Sequence, residues 1–343
     1  METAGAPVDL LVVGAGPVGL ACALEAARQG LSHVVIEKGA PLQTLVSWPT
    51  HTVFFSTPEL LEIGGHPFVT AAGKPTRREG LAYYRKVAER EGLVIRHHEA
   101  VTSLERAGDL FRVATTKGIH AARAVVVATG FFDTPNLLGV PGEDLPKVSH
   151  YYTEPYAHTG SDVLVVGGKN SAVEAALDLH RNGVHVTMAV RGHAFGASVK
   201  YWLKPDIENR VREGSICAYF DTRVFSIEEG AVVLETAGRK YEIPNDFVFA
   251  LTGYRPDFPL LRTLGIAITD DLHVVHDPVT METSVPGLYV AGVVAAGIEI
   301  GKLFIENGRL HAVAIVKHIL ARRGAAPAAL LAAPAIRRFQ DGD

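Results

Sequence analysis

Cysteine is almost missing from this chain: among 343 residues only Cys22 and Cys217 carry a thiol. They stand too far apart in sequence for a Cys-x-x-Cys pair, so the sequence offers no disulfide framework, no zinc cluster and no redox-active dithiol. An excess of charge of one sign is missing too. Lysine plus arginine number 33 against 37 aspartate plus glutamate, and no basic stripe appears, which predicts no partnership with nucleic acid. Also absent is any apolar run of the roughly 20 residues that a membrane-spanning helix needs. No signal pattern precedes the first apolar stretch, so the expectation is a cytoplasmic protein without membrane attachment.

What is present is apolar strand material and glycine turns. Hydrophobic residues make up 48% of the chain, which suits buried parallel strands in two core-bearing domains. The first turn reads Gly14-Ala15-Gly16-Pro17-Val18-Gly19 after Val8-Asp9-Leu10-Leu11-Val12-Val13; a helix pattern over 20–29 and the strand pattern Val34-Val35-Ile36-Glu37 follow. The second reads Gly167-Gly168-Lys169-Asn170-Ser171-Ala172 after Val163-Leu164-Val165-Val166; a helix pattern to Arg181 and a strand pattern over 184–190 lead to Arg191. Both are dinucleotide-binding βαβ patterns. A pyrophosphate lies against the N–H groups of a helix N-terminus, and glycine removes side chains that would hold it away.

The residue ending the second strand selects the nucleotide. Glu37 accepts hydrogen bonds from a free 2′-hydroxyl, as FAD or NAD offers, whereas Arg191 binds a 2′-phosphate, as NADPH offers. The first turn therefore reads as an FAD site and the second as an NADPH site. Lys169 takes the middle position of the second turn, where its Cβ crowds a pyrophosphate unless the turn is displaced or its charge joins the binding. The alternatives are a βαβ unit that binds nothing and, for Arg191, an ordinary surface arginine.

The segment 41–73 has neither helix nor strand periodicity, and a loop that long is usually functional. Its Trp48, His51, Phe54 and Phe55 are candidates to shield a flavin, with a satellite hydrophobic cluster as the alternative. A helix pattern spans 76–90; the buried run Ala124-Val125-Val126-Val127-Ala128 ends at Thr129-Gly130, and a later one ends at Thr252-Gly253. Val285-Pro286-Gly287-Leu288-Tyr289-Val290-Ala291-Gly292 reads as a strand ending in glycine, followed by one helix over 301–320. A doubly wound nucleotide domain needs such a last strand and helix beside its first strand. The predicted fold class is thus α/β, with two Rossmann-like three-layer nucleotide-binding domains. The FAD domain comprises 1–157 and 279–322, the NADPH domain 158–278 is inserted into it, and 323–343 forms an Ala/Pro-rich tail. His150, Tyr151 and Tyr152 lie beside the expected linker.

This order of motifs resembles the low-molecular-weight thioredoxin reductase superfamily over about residues 7–322, and more closely its bacillithiol-disulfide reductase group. Ser47-Trp48-Pro49, Phe54-Phe55-Ser56-Thr57, the second glycine turn, Val199-Lys200-Tyr201-Trp202, Pro205-Asp206-Ile207-Glu208-Asn209-Arg210 and Phe304-Ile305-Glu306-Asn307-Gly308-Arg309 are similar to that group's segments. The resemblance implies an NADPH-dependent FAD oxidoreductase acting on a small-molecule disulfide, or with a small redox protein as partner, in a homo-oligomer. Candidate contacts to FAD are Gly14, Gly16, Pro17, Val18, Gly19, Glu37, Lys38, Trp48, Phe54, Thr129 and Gly130, joined by Gly292, Ala295 and Lys302 near the end of the chain. Those to NADPH are Gly167, Gly168, Lys169, Asn170, Ser171, Arg191, Lys200 and Gly253. No metal ligand set is expected.

Three departures matter. Thioredoxin reductases of this class carry a Cys-x-x-Cys, absent here, and the resemblance implies a cysteine where this chain has Val18. Cys22 lies one helical turn further on and reads as a core residue, and Cys217 begins a strand pattern. Val293 stands where relatives hold the flavin's ribityl chain with an acidic residue, although N–H groups near Gly292 and Ala295 remain to bind phosphate or flavin oxygens. No catalytic side chain is assigned. Electron exchange with ferredoxin, flavin monooxygenation (faintly suggested by Phe249-Ala250-Leu251-Thr252-Gly253-Tyr254) and nucleotide sensing without turnover stay open.

Overall fold

The computed structural model describes residues 6–324, so 325–343 of the expected tail lie outside the described residues. The chain begins with β1 (Val8–Val13), α1 (Pro17–Arg28), β2 (His33–Ile36), the short helices α2 (Gln43–Val46) and α3 (Pro58–Leu61), and α4 (Arg77–Arg90). Strands β3 (Ile95–Arg96), β4 (Val101–Ala107), β5 (Leu110–Thr115) and β6 (Gly118–Val127) follow. The middle holds β7 (Val148–Ser149), β8 (Asp162–Val166), α5 (Asn170–Arg181), β9 (His185–Ala189), α6 (Lys204–Arg212) and β10 (Cys217–Tyr219). Next come β11 (Thr222–Ile227), β12 (Ala231–Thr236), β13 (Arg239–Pro244) and β14 (Phe247–Ala250). The chain closes with α7 (Phe258–Thr263), β15 (Leu288–Val290), α8 (Ile305–Gly308) and α9 (His311–Arg322).

Two compact units result. The first comprises the described parts of Met1–Val46, Val53–Asp133 and Arg255–Asp343, and the second Ser47–Thr52 and Thr134–Tyr254. Thr134–Tyr254 of the second unit lies between two segments of the first, with joints at 133/134 and 254/255 where the sequence reading puts them at 157/158 and 278/279. The reason at the first joint is pairing: β7 belongs to the second unit's sheet through β14. The loop 41–73 is also divided, because Thr50 N–H donates to the Thr153 carbonyl at 2.9 Å and ties Ser47–Thr52 to the second unit.

In the first unit the sheet order is β3-β2-β1-β6-β5-β4, with β15 also pairing β6. Leu10, Leu11 and Val12 of β1 are fully buried, the continuous apolar run that a parallel strand covered on both faces requires. Each such side chain contributes about 1.5–3 kcal/mol by leaving water. The last strand docks on β6, one place away from β1, rather than beside β1 as expected, and α9 packs on α1. The helix expected over 301–320 is broken into a 3-10 turn at Ile300–Lys302, then α8, then α9. Asn307 sustains the break: its Oδ1 accepts from Phe304 N at 2.7 Å and its Nδ2 donates to the Lys302 carbonyl at 3.1 Å.

The second unit has a parallel sheet of order β10-β9-β8-β14-β7 and an antiparallel meander β11-β12-β13. Alternation along β8 produces its layers. Val163 and Val165 face a core shared with α5, whereas Leu164 and Val166 face one shared with Val224, Val232 and Leu234 of the meander. Among the described residues no helix is long and apolar enough to cross a membrane.

Candidate nucleotide-binding sites

The three glycines of the first turn have three different reasons to be glycine. Gly14 has φ 106°, and a Cβ there would lie 2.7 Å from the Ala128 carbonyl oxygen. At Gly19 a Cβ would lie 1.9 Å from the Gly14 oxygen, so glycine lets helix and strand close up. Gly16 is different, because nothing lies within 4 Å of its missing Cβ. That open space sits at the N-cap of α1, which has no side-chain cap and carries Pro17 in its first turn. Helix α4 shows the contrasting arrangement, with Thr76 and Glu79 closing its N-terminus as a capping box. The free N–H groups of α1 beside an open glycine suit an anion.

Around this turn the protein leaves one buried group unsatisfied. Thr129 Oγ1, at the end of β6, is buried without a hydrogen-bond partner, and Gly130 follows at φ 70°. A bound nucleotide supplies such a hydroxyl with a partner. Glu37 is buried and immobilised, since its Oε2 accepts from Ala15 N and its Oε1 from Gly39 N, both at 2.8 Å. Each carboxylate oxygen keeps a further lone pair for a ribose hydroxyl. These residues fit a flavin dinucleotide. Lys38, by contrast, is paired with Asp133 at 3.0 Å, and Lys302 is an exposed partner of Glu299 at 2.6 Å.

Val18 fills a notch made by two glycines: Cβ atoms at Gly292 and Gly308 would lie 3.2 Å and 3.3 Å from its side chain. No thiol stands there. Cys22 is fully buried, and burial, with Glu25 adding, pushes its thiol up to about 12; Cys217 is exposed on β10. The Gly292 N–H already donates to His311 Nδ1 at 3.2 Å, so the N–H expected to face phosphate or flavin has an internal partner; Ala295 is buried in the following 3-10 turn. Desolvation, with nearby His276 adding, lowers His311 to about 4 and keeps it neutral. No sequence signal pointed to His311, whose contact crosses from α9 to the end of β15.

Phe54 is buried against α4, where a Cβ on Gly80 would lie 2.8 Å from its ring, the hydrophobic-cluster alternative. Phe55 is half-exposed and meets Phe304 edge-on at 5.4 Å. Trp48 is half-buried in the second unit, and His51 is exposed there. Ser56 Oγ donates to Glu306 at 2.5 Å, joining the loop to α8.

The second turn repeats the backbone plan with other side chains. A Cβ on Gly167 (φ 139°) would lie 2.6 Å from the Leu251 oxygen, and one on Gly168 would lie 2.7 Å from Val190. Lys169 is the uncapped N-cap residue of α5 and is exposed. Ser171 is exposed in the first turn of α5. Asn170 clasps the loop after β9 instead of facing outward: its Oδ1 accepts from Lys200 N at 2.9 Å and its Nδ2 donates to the Ser198 carbonyl at 3.0 Å. Lys200 Nζ is bound to Glu174 at 2.5 Å. Gly253, at φ 93°, accepts at its carbonyl from Asn136 N. Arg191 is exposed just past β9 and, like Lys169, has no ion-pair partner among the described residues. Two free cations around an uncapped helix fit a phosphorylated dinucleotide.

Two Rossmann-like units, each with an uncapped helix behind a glycine turn, define a thioredoxin-reductase-like dinucleotide-binding fold. The model of the pyridine nucleotide-disulphide oxidoreductase family matches residues 11–292. The chain belongs to this family and is a flavin- and pyridine-nucleotide-dependent oxidoreductase. It is 41% identical over 315 residues to bacilliredoxin reductase Bdr of Bacillus subtilis, covering 91% of this chain and 97% of that protein. The structure of bacillithiol disulfide reductase Bdr from Bacillus cereus matches with a TM-score of 0.90 at 40% identity, covering 92% of this chain and 100% of that one. A ferredoxin–NADP reductase of Ignicoccus hospitalis is 28% identical over 293 residues, 83% of this chain and 89% of that protein.

Proposed function

We propose that this chain is an NADPH-dependent FAD oxidoreductase that reduces a low-molecular-weight disulfide, with bacillithiol disulfide as the leading substrate. The observation that carries the cofactor assignment is the contrast between a buried carboxylate, Glu37, at one ribose position and an unpaired guanidinium, Arg191, at the other. The acceptor assignment rests on the relatives: one is named for bacilliredoxin and another for bacillithiol disulfide. When bound, the cofactor pair supplies two-electron chemistry, NADPH + H⁺ + RSSR giving NADP⁺ + 2 RSH. The chain's own residues bind and orient. The N–H groups of α1 beside Gly16 and those of α5 beside Lys169 receive the pyrophosphates, Glu37 accepts from the FAD ribose, and Arg191 pairs with the 2′-phosphate. We place the protein in the cytoplasm as a homo-oligomer.

Electron exchange with ferredoxin is the second reading, favoured by the Ignicoccus relative and by the missing dithiol. NADPH oxidation followed in parallel with bacillithiol disulfide, other small disulfides, bacilliredoxin, thioredoxin, ferredoxin and oxygen separates them. Rapid turnover of bacillithiol disulfide is the expected outcome. Turnover with ferredoxin and none with any disulfide would replace the substrate while leaving the NADPH and FAD assignments in place.

A further inference from the structure

A cavity of about 210 Å³ opens at the carboxyl end of β9, with Arg191 on one wall and the start of the β11-β12 hairpin on the other. Two backbone bonds hold the walls together: Asp221 N donates to the Gly192 carbonyl at 3.0 Å, and Thr222 N to the Val190 carbonyl at 3.1 Å. The opposite wall presents a second guanidinium. Arg223 on β11 lies directly across from Glu235 on β12, and its Nε and Nη2 both reach Glu235 Oε2, at 3.0 and 2.9 Å. Glu235 is largely buried, which anchors Arg223 and leaves the guanidinium's remaining donors uncommitted.

We propose that this cavity is the 2′-phosphate subsite of the nucleotide site, and that Arg223, positioned by Glu235, is a second specificity-determining residue beside Arg191. The inference rests on the NADPH reading above. A phosphate monoester carries a charge of about −1.5 to −2 near neutral pH, more than one arginine balances. Arg191 is free to pair with it, and Arg223 supplies the second cation from a separate sheet. Asp221, exposed on the rim, opposes the same charge. It therefore limits how tightly the phosphate is held.

Calorimetric titration of the flavin-loaded, full-length protein with 2′,5′-ADP and with 5′-AMP tests this without turnover. The wild type is expected to prefer 2′,5′-ADP by tenfold or more. Arg223→Ala and Arg191→Ala should each reduce that preference about tenfold, the effect of one charge-assisted hydrogen bond, while leaving 5′-AMP binding unchanged. Arg223→Lys should fall between, and Asp221→Asn should raise the preference. A preference undiminished in both Arg223→Ala and Arg223→Lys, but lost in Arg191→Ala, overturns the role of Arg223 and leaves the NADPH reading intact. A wild type without preference overturns both.

Discussion

The turn at 14–19 and the turn at 167–172 follow one backbone plan, yet they differ at two of the three glycine positions. The first leaves its middle position empty and requires glycine at its third, where a Cβ would lie 1.9 Å from a backbone oxygen. The second carries an exposed lysine in the middle and Ala172 at the third. Charge follows the same division, with Glu37 fixed by two backbone N–H groups and Arg191 unpaired. On the proposed assignment, a turn that admits an uncharged ribose edge and one that holds an extra phosphate share geometry and differ in what projects from it.

The largest test of this comparison is Gly19→Ala, whose new Cβ meets the Gly14 carbonyl. It should cost more than about 3 kcal/mol, the severe end of overpacking, seen as a lowered urea midpoint with loss of bound flavin. Gly16→Ala, with open space around it, should change apo stability by no more than about 1 kcal/mol yet reduce flavin retention. Equal stability losses in the two variants would show that the glycines do not have separate roles.

Acid should act on the first unit through His311. The folded imidazole sits at about 4, below its usual 6.5, because of burial, so the unfolded chain takes up the proton first. The stability this contributes is fully present above pH 6.5 and is lost as pH falls towards 4, on the order of 3 kcal/mol over that window. Nearby His276 adds to the lowering. Urea midpoints measured against pH should fall more steeply for the wild type than for His311→Gln, and matching slopes would remove His311 from the account.

Arg191→Ala should raise KM for NADPH roughly 10- to 150-fold, the range for a charge-assisted contact, and leave NADH nearly unchanged. An equal loss with both nucleotides would make Arg191 structural. The smallest effect is expected from Cys22→Ala combined with Cys217→Ala, because one thiol is buried and held protonated and the other lies on an edge strand. Turnover should stay within a few fold, and a loss by orders of magnitude would make one of those thiols catalytic.

Both βαβ units and the places of Glu37 and Arg191 just past β2 and β9 were readable in the sequence, because local glycine spacing and apolar runs encode them. The clasp by Asn170 and the pairing of Lys38 and Lys302 with carboxylates were not. A polar side chain beside a nucleotide motif looks like a ligand contact until its actual partner is known. Phe54 has the same lesson, since an aromatic in an irregular loop does not announce the glycine of α4 that it packs against.

The sequence by itself determined the two turns, the class of fold and the opposite charges at the strand ends, since these depend on neighbours within about one βαβ unit. Only the tertiary structure decided which N–H groups stay free, which cations stay unpaired and where the units divide. Those outcomes depend on contacts between distant segments: Gly292 with His311, Arg223 with Glu235 beside Arg191, and Thr50 with Thr153. Hydrogen-bond partners are chosen by proximity in the folded chain, and sequence spacing carries no record of that choice.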